Sequence, residues 1–210
     1  MSEAKRVFLF GYSGHAYVII ESFISAGFTI AGYFDYHEAK TNPYQIPYFG
    51  FESSVDVPSI VKSDFVFPSV GENTIRAKLV SFFEKYHLKQ CVLIDPSAKV
   101  SNSTSIGLST YVGVNSIINA QSQIGKGVII NTAAIIEHEC EVQDFSHIAP
   151  AAVLCGNVNV GKGTFIGANA VVRNNTSICS DVIIGAGSVV AKSIGEKGIW
   201  VGNPSKKGNE

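Results

Sequence analysis

A short run in the second half of the chain, "IIEHECEVQDFSH" (residues 135–147), concentrates side chains that can exchange protons. It holds three glutamates, one aspartate and two histidines, His138 and His147. Histidine titrates near neutral pH and a neighbouring carboxylate can stabilise its charged form, so the run could perform general acid–base chemistry. The same composition is also typical of a solvated surface patch. The fold that positions these side chains has to decide between the two interpretations.

Aliphatic residues recur every six positions through the same region, and the series never slips. A period of six fits neither a 3.6-residue helix nor a hairpin meander, but it fits short strands separated by turns and wound into a solenoid. The strands and loops of a β-sandwich vary in length and would break the series. The pattern therefore predicts the hexapeptide repeat of a left-handed parallel β-helix, with three hexads in each coil. The aliphatic series is Ile94, Val100, Ile106, Val112, Ile118, Ile124, Ile130, Ile136, Val142, Ile148, Leu154, Val160, Ile166, Val172, Ile178, Ile184 and Val190.

Small or β-branched residues stand two positions before each member of the series from Val100 onward. We expect them to face inward with the aliphatic series, so that Cys140 belongs to the core. Glycine, asparagine or aspartate often follows a member of the series, and we expect positive φ there because tight turns favour it. These turn positions are Asp95, Gly107, Gly113, Asn119, Gly125, Asn131, Gly161, Gly167 and Gly185.

The repeat also predicts where the ionisable side chains point. His138 follows the inward residue Ile136 by two positions and should project outward. One coil later, Gly156 should stack beside His138 at the strand spacing of ~4.8 Å. His147 should lie on another part of the wall, so the two histidines of one chain do not meet unless copies pack side by side. Glu137 and Glu141 are expected to be solvated neighbours.

The first half of the chain reads as an α/β unit. A strand (Arg6 to Phe10), a glycine turn, a helix ending near Gly27 and a strand ending at Asp35 form a βαβ opening. A further strand to Val70 precedes a helix with five apolar residues at helical spacing, of which the last three are expected in the core. These residues are Ile75, Leu79, Phe82, Phe83 and Tyr86. A small parallel sheet with helices on its faces follows.

The turn "GYSGH" after the first strand is not a GxGxxG dinucleotide fingerprint. Ser13, Gly14 and His15 nevertheless stand at a helix N-terminus, where free N–H groups and the helix dipole favour phosphate. Asp35, at the end of the second strand, could accept hydrogen bonds from a ribose or a base. A purely structural turn is the alternative for this segment.

Composition limits the class of partner. The chain of 210 residues has a formal net charge of −1, which gives no electrostatic basis for binding nucleic acid or an acidic membrane. The four cysteines form no CxxC pair, which favours a reducing compartment. No apolar run approaches a signal-peptide core or a membrane span. We expect a cytoplasmic protein that acts on small molecules and associates with copies of itself.

The order of the two halves, with "GYSGH", "SVGENTIR", "IEHEC" and the final "GIWVGNPSKK", resembles a known family. It is similar to the bacterial hexapeptide-repeat acetyltransferases that act on nucleotide-linked amino sugars, such as the bacillosamine-pathway and perosamine N-acetyltransferases, and to the related sialic acid O-acetyltransferases. The resemblance implies a Rossmann-like nucleotide-sugar domain over residues 1–90, a β-helix acetyltransferase domain over 91–196 and a C-terminal tail over 197–210. It also implies acetyl-CoA as cosubstrate, no metal, and a homotrimer with reaction clefts between neighbouring walls.

The resemblance further assigns roles to matching positions. His138 would be the general base, Glu139 would raise its basicity, and the N–H of Gly156 would stabilise the thioester oxygen. His147, Ala168 and Ala186 match acetyl-CoA contacts. Asn131 is also expected to line the cleft. The nucleotide-sugar pocket matches Ser13, Gly14, His15, Asp35, Tyr36 and Gly71. Tyr36 replaces a second acidic residue that relatives can carry, which leaves the identity of the base open, and Ala186 replaces a glycine.

The expected reaction is N-acetylation of a nucleotide-linked 4-amino-4,6-dideoxyhexose for surface-glycan biosynthesis. O-acetylation of a sialic acid is the first alternative, since the same base would serve a hydroxyl group. A non-catalytic trimeric scaffold that senses a nucleotide sugar is the second. A trimeric β-helix can also be a zinc hydratase, but the repeat region supplies only two histidines for a site that needs three nitrogen ligands. Self-association is expected because Leu108, Val128, Ile129, Ile135 and Phe165 give the wall apolar surface.

Overall fold

The computed structural model of the chain describes residues 5–208 and forms two compact units that divide between Leu93 and Ile94. The helices are α1 (Gly14–Ser25), α2 (Val57–Val61) and α3 (Asn73–Lys85). The strands of the first unit are β1 (Arg6–Phe10), β2 (Thr29–Phe34), β3 (Phe65–Pro68) and β4 (Lys89–Gln90). The strands that follow are β5 (Leu93–Ile94), β6 (Lys99–Val100), β7 (Ser105–Ile106), β8 (Tyr111–Val112), β9 (Ile117–Ile118), β10 (Gln123–Ile124), β11 (Ile129–Ile130), β12 (Ile135–Ile136), β13 (Glu141–Val142), β14 (His147–Ile148), β15 (Val153–Leu154), β16 (Asn159–Val160), β17 (Phe165–Ile166), β18 (Val171–Val172), β19 (Ser177–Ile178), β20 (Val182–Ile184), β21 (Val189–Val190), β22 (Gly198–Val201) and β23 (Lys206–Lys207).

The first unit is a parallel four-stranded sheet with the strand order β2-β1-β3-β4. The chain passes from β1 through α1 to β2 on one side and then returns to β3 on the other side. The direction of winding therefore reverses between β1 and β3, and their carboxyl ends border a crevice of the kind where α/β sheets bind ligands. The predicted first strand, Arg6 to Phe10, and the βαβ opening are confirmed.

Aromatic side chains fill the core between this sheet and α3. The ring of Phe10 stacks on Phe34 and meets Phe83 edge-on, each at a centroid distance of 4.6 Å. Of the three residues predicted in the core, Phe83 is buried and Phe82 is half-buried and packed against the core, whereas the prediction for Tyr86 is wrong because it is 42% exposed. The reason is local, since α3 ends at Lys85 and Tyr86 is the C-cap, where the helical period no longer aims a side chain at the sheet. Ile75, at the other end of α3, is 47% exposed.

The second unit is the predicted left-handed parallel β-helix. Its short strands form three sheets, and from β6 to β21 the strands pair in parallel with each residue opposite the one 18 positions later, for example Ile135 with Val153 and Ile136 with Leu154. The aliphatic series and the small residues form one continuous buried core, and Cys140 lies in it with 1% exposure. Burial is incomplete at the first coil, where Ile94 is 40% exposed and Val100 and Ile106 are half-buried.

The turns differ from the prediction in which residue takes positive φ. None of the predicted positions, directly after the aliphatic series, has positive φ. Between residues 106 and 190, the residues with positive φ all lie two positions further along, as at Glu139 (60°) and Asn157 (55°). The glycines directly after the series have a different reason to be glycine. A Cβ on Gly167 would lie 2.6 Å from the backbone nitrogen of Ala186, and one on Gly125 would lie 2.6 Å from that of Asp144. Close approach of the next coil therefore selects glycine there.

The apolar residues predicted on the wall divide into two groups. The prediction that Val128 and Ile129 give the wall exposed apolar surface is wrong. Val128 is fully buried in the core, and Ile129, on a neighbouring strand, is only 2% exposed. Leu108 is 52% exposed, and Ile135 and Phe165 are half-buried.

The last part of the described chain continues the solenoid sheet. Strand β22 pairs in parallel with β20, and β23 returns antiparallel to β22. The predicted boundaries at residues 90 and 196 stay predictions, and residues 1–4 and 209–210 of the predicted segments lie outside the described residues. Within residues 5–208, no helix is long and apolar enough to cross a membrane.

Candidate active site and nucleotide-sugar crevice

His138 lies on an outward edge of the β-helix, which we call the His138 corner (residues 119–122, 137–140, 155–158 and 173–176). The corner residues 137–140 join β12 to β13, and the His138 side chain is 58% exposed. Its Nδ1 lies 3.0 Å from Oε2 of Glu139. Glu139 has positive φ as part of the turn conformation, so the turn determines from which backbone position its carboxylate extends. The predicted outward direction of His138 is confirmed.

Gly156 stacks against His138 one coil later, as coil arithmetic predicted. The N–H of Asn157 donates to the carbonyl of His138 at 2.9 Å, which sets the two turns side by side. A Cβ on Gly156 would lie 2.5 Å from both Cε1 and Nε2 of the imidazole. Glycine at this position therefore leaves the space that the ring occupies. The N–H of Gly156 makes no hydrogen bond with another described residue and remains able to donate to a ligand.

The other acidic residues of the run belong to ladders between coils. Glu137 is half-buried, and its Oε2 accepts from Nδ2 of Asn119 at 3.0 Å, so it is not the solvated neighbour that we expected. Glu141 is exposed, and it accepts from Nδ2 of Asn159 at 3.2 Å. Both partners stand 18 residues from their glutamates, a spacing that was readable in the repeat and that we did not use.

His147 lies on β14 with 8% exposure, packed edge-on against Phe165 at a centroid distance of 5.0 Å. Its Nε2 lies 3.0 Å from Nδ2 of Asn131. The amide of Asn131 is oriented by Thr132, whose N–H donates to Oδ1 at 2.8 Å. Nδ2 of Asn131 therefore faces Nε2 of His147.

The predicted acetyl-CoA residues lie at a different edge of the same unit. Ala168 and Ala186 are 18 residues apart and stack, with the N–H of Gly187 donating to the carbonyl of Ala168 at 2.8 Å. They belong to the turns that follow β17 and β20, whereas His138 follows β12 on the next edge. The structure thus groups His138, Glu139 and Gly156 at one edge, and it groups Ala168 with Ala186 at another.

In the first unit, the predicted pocket residues collect at the carboxyl ends of β1, β2 and β3. Ser13 is the N-cap of α1 and its side chain makes no capping hydrogen bond, while Gly14 and His15 form the first turn. A Cβ on Gly71, which follows β3, would lie 3.9 Å from Cγ of His15. The segments after β1 and β3 therefore meet across the crevice where the winding reverses.

Asp35, after β2, joins two of these segments. One carboxylate oxygen accepts from the N–H of Tyr12 at 2.8 Å and the other from the N–H of Tyr36 at 2.6 Å. The Tyr36 ring is 65% exposed and meets Phe51 edge-on at 5.0 Å. Asp35 thus holds the glycine turn against the second strand, and Tyr36 presents an aromatic face to solvent.

Two residues that shape the crevice escaped the sequence reasoning. Ser69 is buried, and its hydroxyl hydrogen-bonds to the carbonyls of Phe10 and Gly11. Arg76 is 1% exposed, and its guanidinium donates to the carbonyl of Gly71 at 2.9 Å. Arg76 ends the segment "SVGENTIR", but a charged residue on a helix is ordinarily exposed, so nothing in the pattern marked it as buried.

Burial sets the charge states in the crevice. It lowers the pKa of His15 to about 4, with a further lowering by the charge of Arg76, so the imidazole is neutral at physiological pH. Burial also lowers the pKa of Arg76 to about 10, which leaves the guanidinium charged. For Glu72, burial acts to raise the pKa, but hydrogen bonds from Ile75 and Thr74 and the charge of Arg76 lower it overall.

Residues 5–208 contain no group of three or more histidine, cysteine, aspartate or glutamate side chains that could hold a metal ion.

The lowered pKa of His15 predicts acid sensitivity. A base whose pKa is lower in the folded state binds fewer protons there than in the unfolded chain, so stability rises with pH across that window. The free energy of unfolding should therefore fall as pH decreases from about 6.5 toward about 4, and His15→Gln should reduce this fall. Urea unfolding across this range measures it, with His37→Gln at an exposed site as the control. Identical losses in wild type and His15→Gln would contradict the prediction.

Both units match known families. Residues 6–83 match the PglD N-terminal domain, and residues 157–192 match the bacterial transferase hexapeptide repeats. Among curated proteins, the chain is 36% identical over 126 residues to an uncharacterized protein of Acanthamoeba polyphaga mimivirus. That match spans 59% of this chain and about a quarter of the length of the viral protein (24%).

Solved structures resemble the chain over nearly its whole length. A variant of perosamine N-acetyltransferase from Caulobacter crescentus, in complex with CoA and GDP-perosamine, is 32% identical with a TM-score of 0.92, covering 97% of each chain. The acetyltransferase domain of PglB from Neisseria gonorrhoeae, in complex with acetyl coenzyme A, is 30% identical with a TM-score of 0.88, covering 97% of this chain and 99% of that one. This chain therefore belongs to the acetyltransferase family that joins a PglD-type N-terminal domain to hexapeptide repeats, the family of these two proteins.

Proposed function

We propose that the chain transfers the acetyl group of acetyl-CoA to the 4-amino group of a nucleotide-linked 4-amino-4,6-dideoxyhexose, in the cytoplasm, for surface-glycan biosynthesis. The arrangement that carries the proposal is the outward imidazole of His138, with Glu139 at Nδ1 and Gly156 beneath the ring. The relatives lend support, because the Caulobacter enzyme holds CoA with GDP-perosamine and the Neisseria domain holds acetyl coenzyme A. The chemistry needs no metal.

His138 acts as the general base. Glu139 accepts a hydrogen bond from Nδ1–H, which leaves the lone pair of Nε2 available to the substrate. As the sugar amine attacks the thioester carbon, Nε2 takes the proton that the new amide nitrogen loses. The imidazolium that forms is stabilised by the carboxylate at 3.0 Å. The carbon–sulfur bond then breaks, and the CoA thiolate leaves and takes up a proton.

Gly156 stabilises the oxygen that becomes negative in the tetrahedral intermediate. Its N–H has no other hydrogen-bond partner among the described residues, and a donor already in position needs no reorganisation as the charge develops. Because Gly156 and His138 lie against each other, one acyl group can meet both the base and this donor.

The two substrates use the other predicted residues. His147, Ala168 and Ala186 contact acetyl-CoA along the β-helix. Ser13, Gly14, His15, Asp35, Tyr36 and Gly71 hold the nucleotide sugar. Since His15 is neutral, we assign it hydrogen bonding to the diphosphate rather than charge pairing.

We further propose that the protein works as a cyclic trimer with its active sites between chains. The outward face of one solenoid sheet carries an aliphatic column, which we call the aliphatic wall, and such surfaces commonly mark interfaces. The wall directly precedes the His138 corner, so a second copy on it would lie beside His138. Its residues are Ile117, Ile135, Val153, Val171 and Val189, all half-buried.

Replacing the base tests the reaction. We expect His138→Ala to lower the rate of thiol release from acetyl-CoA by at least about 10²-fold, because the attacking amine then has no proton acceptor. The substrates are UDP-, dTDP- and GDP-linked 4-amino sugars, with a sialic acid as the hydroxyl alternative. His87→Ala, at an exposed site, is the control. An unchanged rate in His138→Ala would disprove this mechanism. If the wild type acetylated only the sialic acid, the acceptor would be a hydroxyl group and the proposed N-acetylation would be wrong.

A second variant tests the stacking on His138. Gly156→Ala introduces a methyl group where the imidazole lies, and φ at this position is not in the glycine region, so the fold should persist. We expect a fall in kcat of about 10²-fold from the displaced base, with an unchanged circular dichroism spectrum. Asn174→Ala, one coil further in the same column, should retain activity. A fully active Gly156→Ala enzyme would refute the assigned geometry.

The aliphatic wall gives a prediction for assembly. Val171→Glu places a charge within the aliphatic wall, and the cost of desolvating that charge opposes association. Light scattering should show a trimer for the wild type and a smaller species for Val171→Glu. Ser177→Glu, on the polar outward face of the neighbouring sheet, should remain trimeric. A monomeric wild type would eliminate the trimer.

A further inference from the structure

Arg76 is the largest fully buried side chain in the described chain, with 1% exposure in the first turn of α3. Its guanidinium donates to the carbonyls of Val70 at 3.3 Å and Gly71 at 2.9 Å, and to Oδ1 of Asn73 at 2.8 Å. Removing a guanidinium from water is costly unless its hydrogen bonds are replaced. All three acceptors lie in the segment from β3 to α3, so this segment is what the buried arginine holds.

The hydrogen bonds to Arg76 fix the direction of two backbone donors. The carbonyl and N–H of a trans peptide point in opposite directions. Since the carbonyls of Val70 and Gly71 turn toward Arg76, the N–H groups of Gly71 and Glu72 turn away from it. Neither N–H makes a hydrogen bond with another described residue. Two neighbouring backbone donors of this kind form a concavity suited to an anion.

Gly71 also faces His15 across the crevice, as the 3.9 Å from a Cβ on Gly71 to Cγ of His15 indicates. His15 stands in the first turn of α1, where the amides have no helical acceptor. The segment held by Arg76 and the start of α1 therefore lie on opposite sides of one space. The charge of Arg76 beneath the segment favours a negative group on the other side.

We infer that Arg76 is a positioning residue of the nucleotide-sugar crevice, holding the Val70–Gly71 carbonyls so that the N–H groups of Gly71 and Glu72 serve as donors to the diphosphate. This inference rests on the proposed function. Arg76 does not touch the substrate in this arrangement, since it acts from behind the segment. Lysine could retain the charge but not the planar fork that reaches several acceptors at once.

Binding measurements separate this role from a merely structural one. The probes are UDP, dTDP, GDP, the matching nucleosides and CoA, titrated calorimetrically into the full chain. Of the three diphosphates, we consider the one that the wild type binds most tightly. We expect Arg76→Lys to weaken the binding of this diphosphate by roughly tenfold. The matching nucleoside and CoA should change by less than about twofold, because neither uses the Gly71 and Glu72 donors. Lys78→Met, an exposed charge on the same helix, should bind all probes like the wild type.

Each other outcome identifies which idea fails. A folded Arg76→Lys protein that binds the diphosphate like the wild type overturns the inference and leaves the proposed function standing. An equal weakening of the diphosphate, nucleoside and CoA reduces Arg76 to a structural residue. If Arg76→Lys does not fold, Asn73→Ala takes its place, because it removes one acceptor of the guanidinium. This variant should show the same selective loss of affinity for the diphosphate, but a smaller one. A wild type that binds none of the three diphosphates contradicts the proposed function itself.

Discussion

The parallel pairing of each residue with the one 18 positions later is the constraint on which the β-helix depends. One inserted residue would turn the following inward side chains outward, so the core survives only while the period of six holds without a slip. The same pairing brings successive turns within about 4.8 Å of each other, which limits what the turn residues can be. Glycine directly after the aliphatic series and positive φ two residues later are the two consequences.

The candidate active site is built from these turn constraints. Glu139 has the positive φ found in most turns of the β-helix, and its carboxylate lies 3.0 Å from Nδ1 of His138. Gly156 leaves the space of its missing Cβ to the imidazole, and its N–H remains available because the pairing between coils does not use it. In the proposed mechanism, two stacked turns of the solenoid supply a base (His138), an orienting carboxylate (Glu139) and an oxyanion donor (the N–H of Gly156).

In the first unit, buried side chains rather than the coil repeat hold the backbone of the candidate site in place. Its crevice also presents backbone N–H groups, at the start of α1 and in the segment before α3, and buried side chains hold that backbone in place. Asp35, Ser69 and Arg76 each bond to main-chain atoms of the segments after the strands. Under the proposed function, both units would use backbone donors whose positions are determined by residues that need not touch a substrate.

The sequence by itself determined the β-helix, the outward direction of His138 and the stacking of Gly156, because a fixed period converts position along the chain directly into position in space. It also indicated the α/β unit and the glycine turn that precedes α1, since strand and helix periods are local signals. Only the tertiary structure decided that Arg76 is buried, that Tyr86 is exposed and that positive φ lies two residues after the expected place. Those features depend on contacts between segments distant in sequence, or on where a helix ends and how closely coils approach, and no local pattern of residue types encodes them.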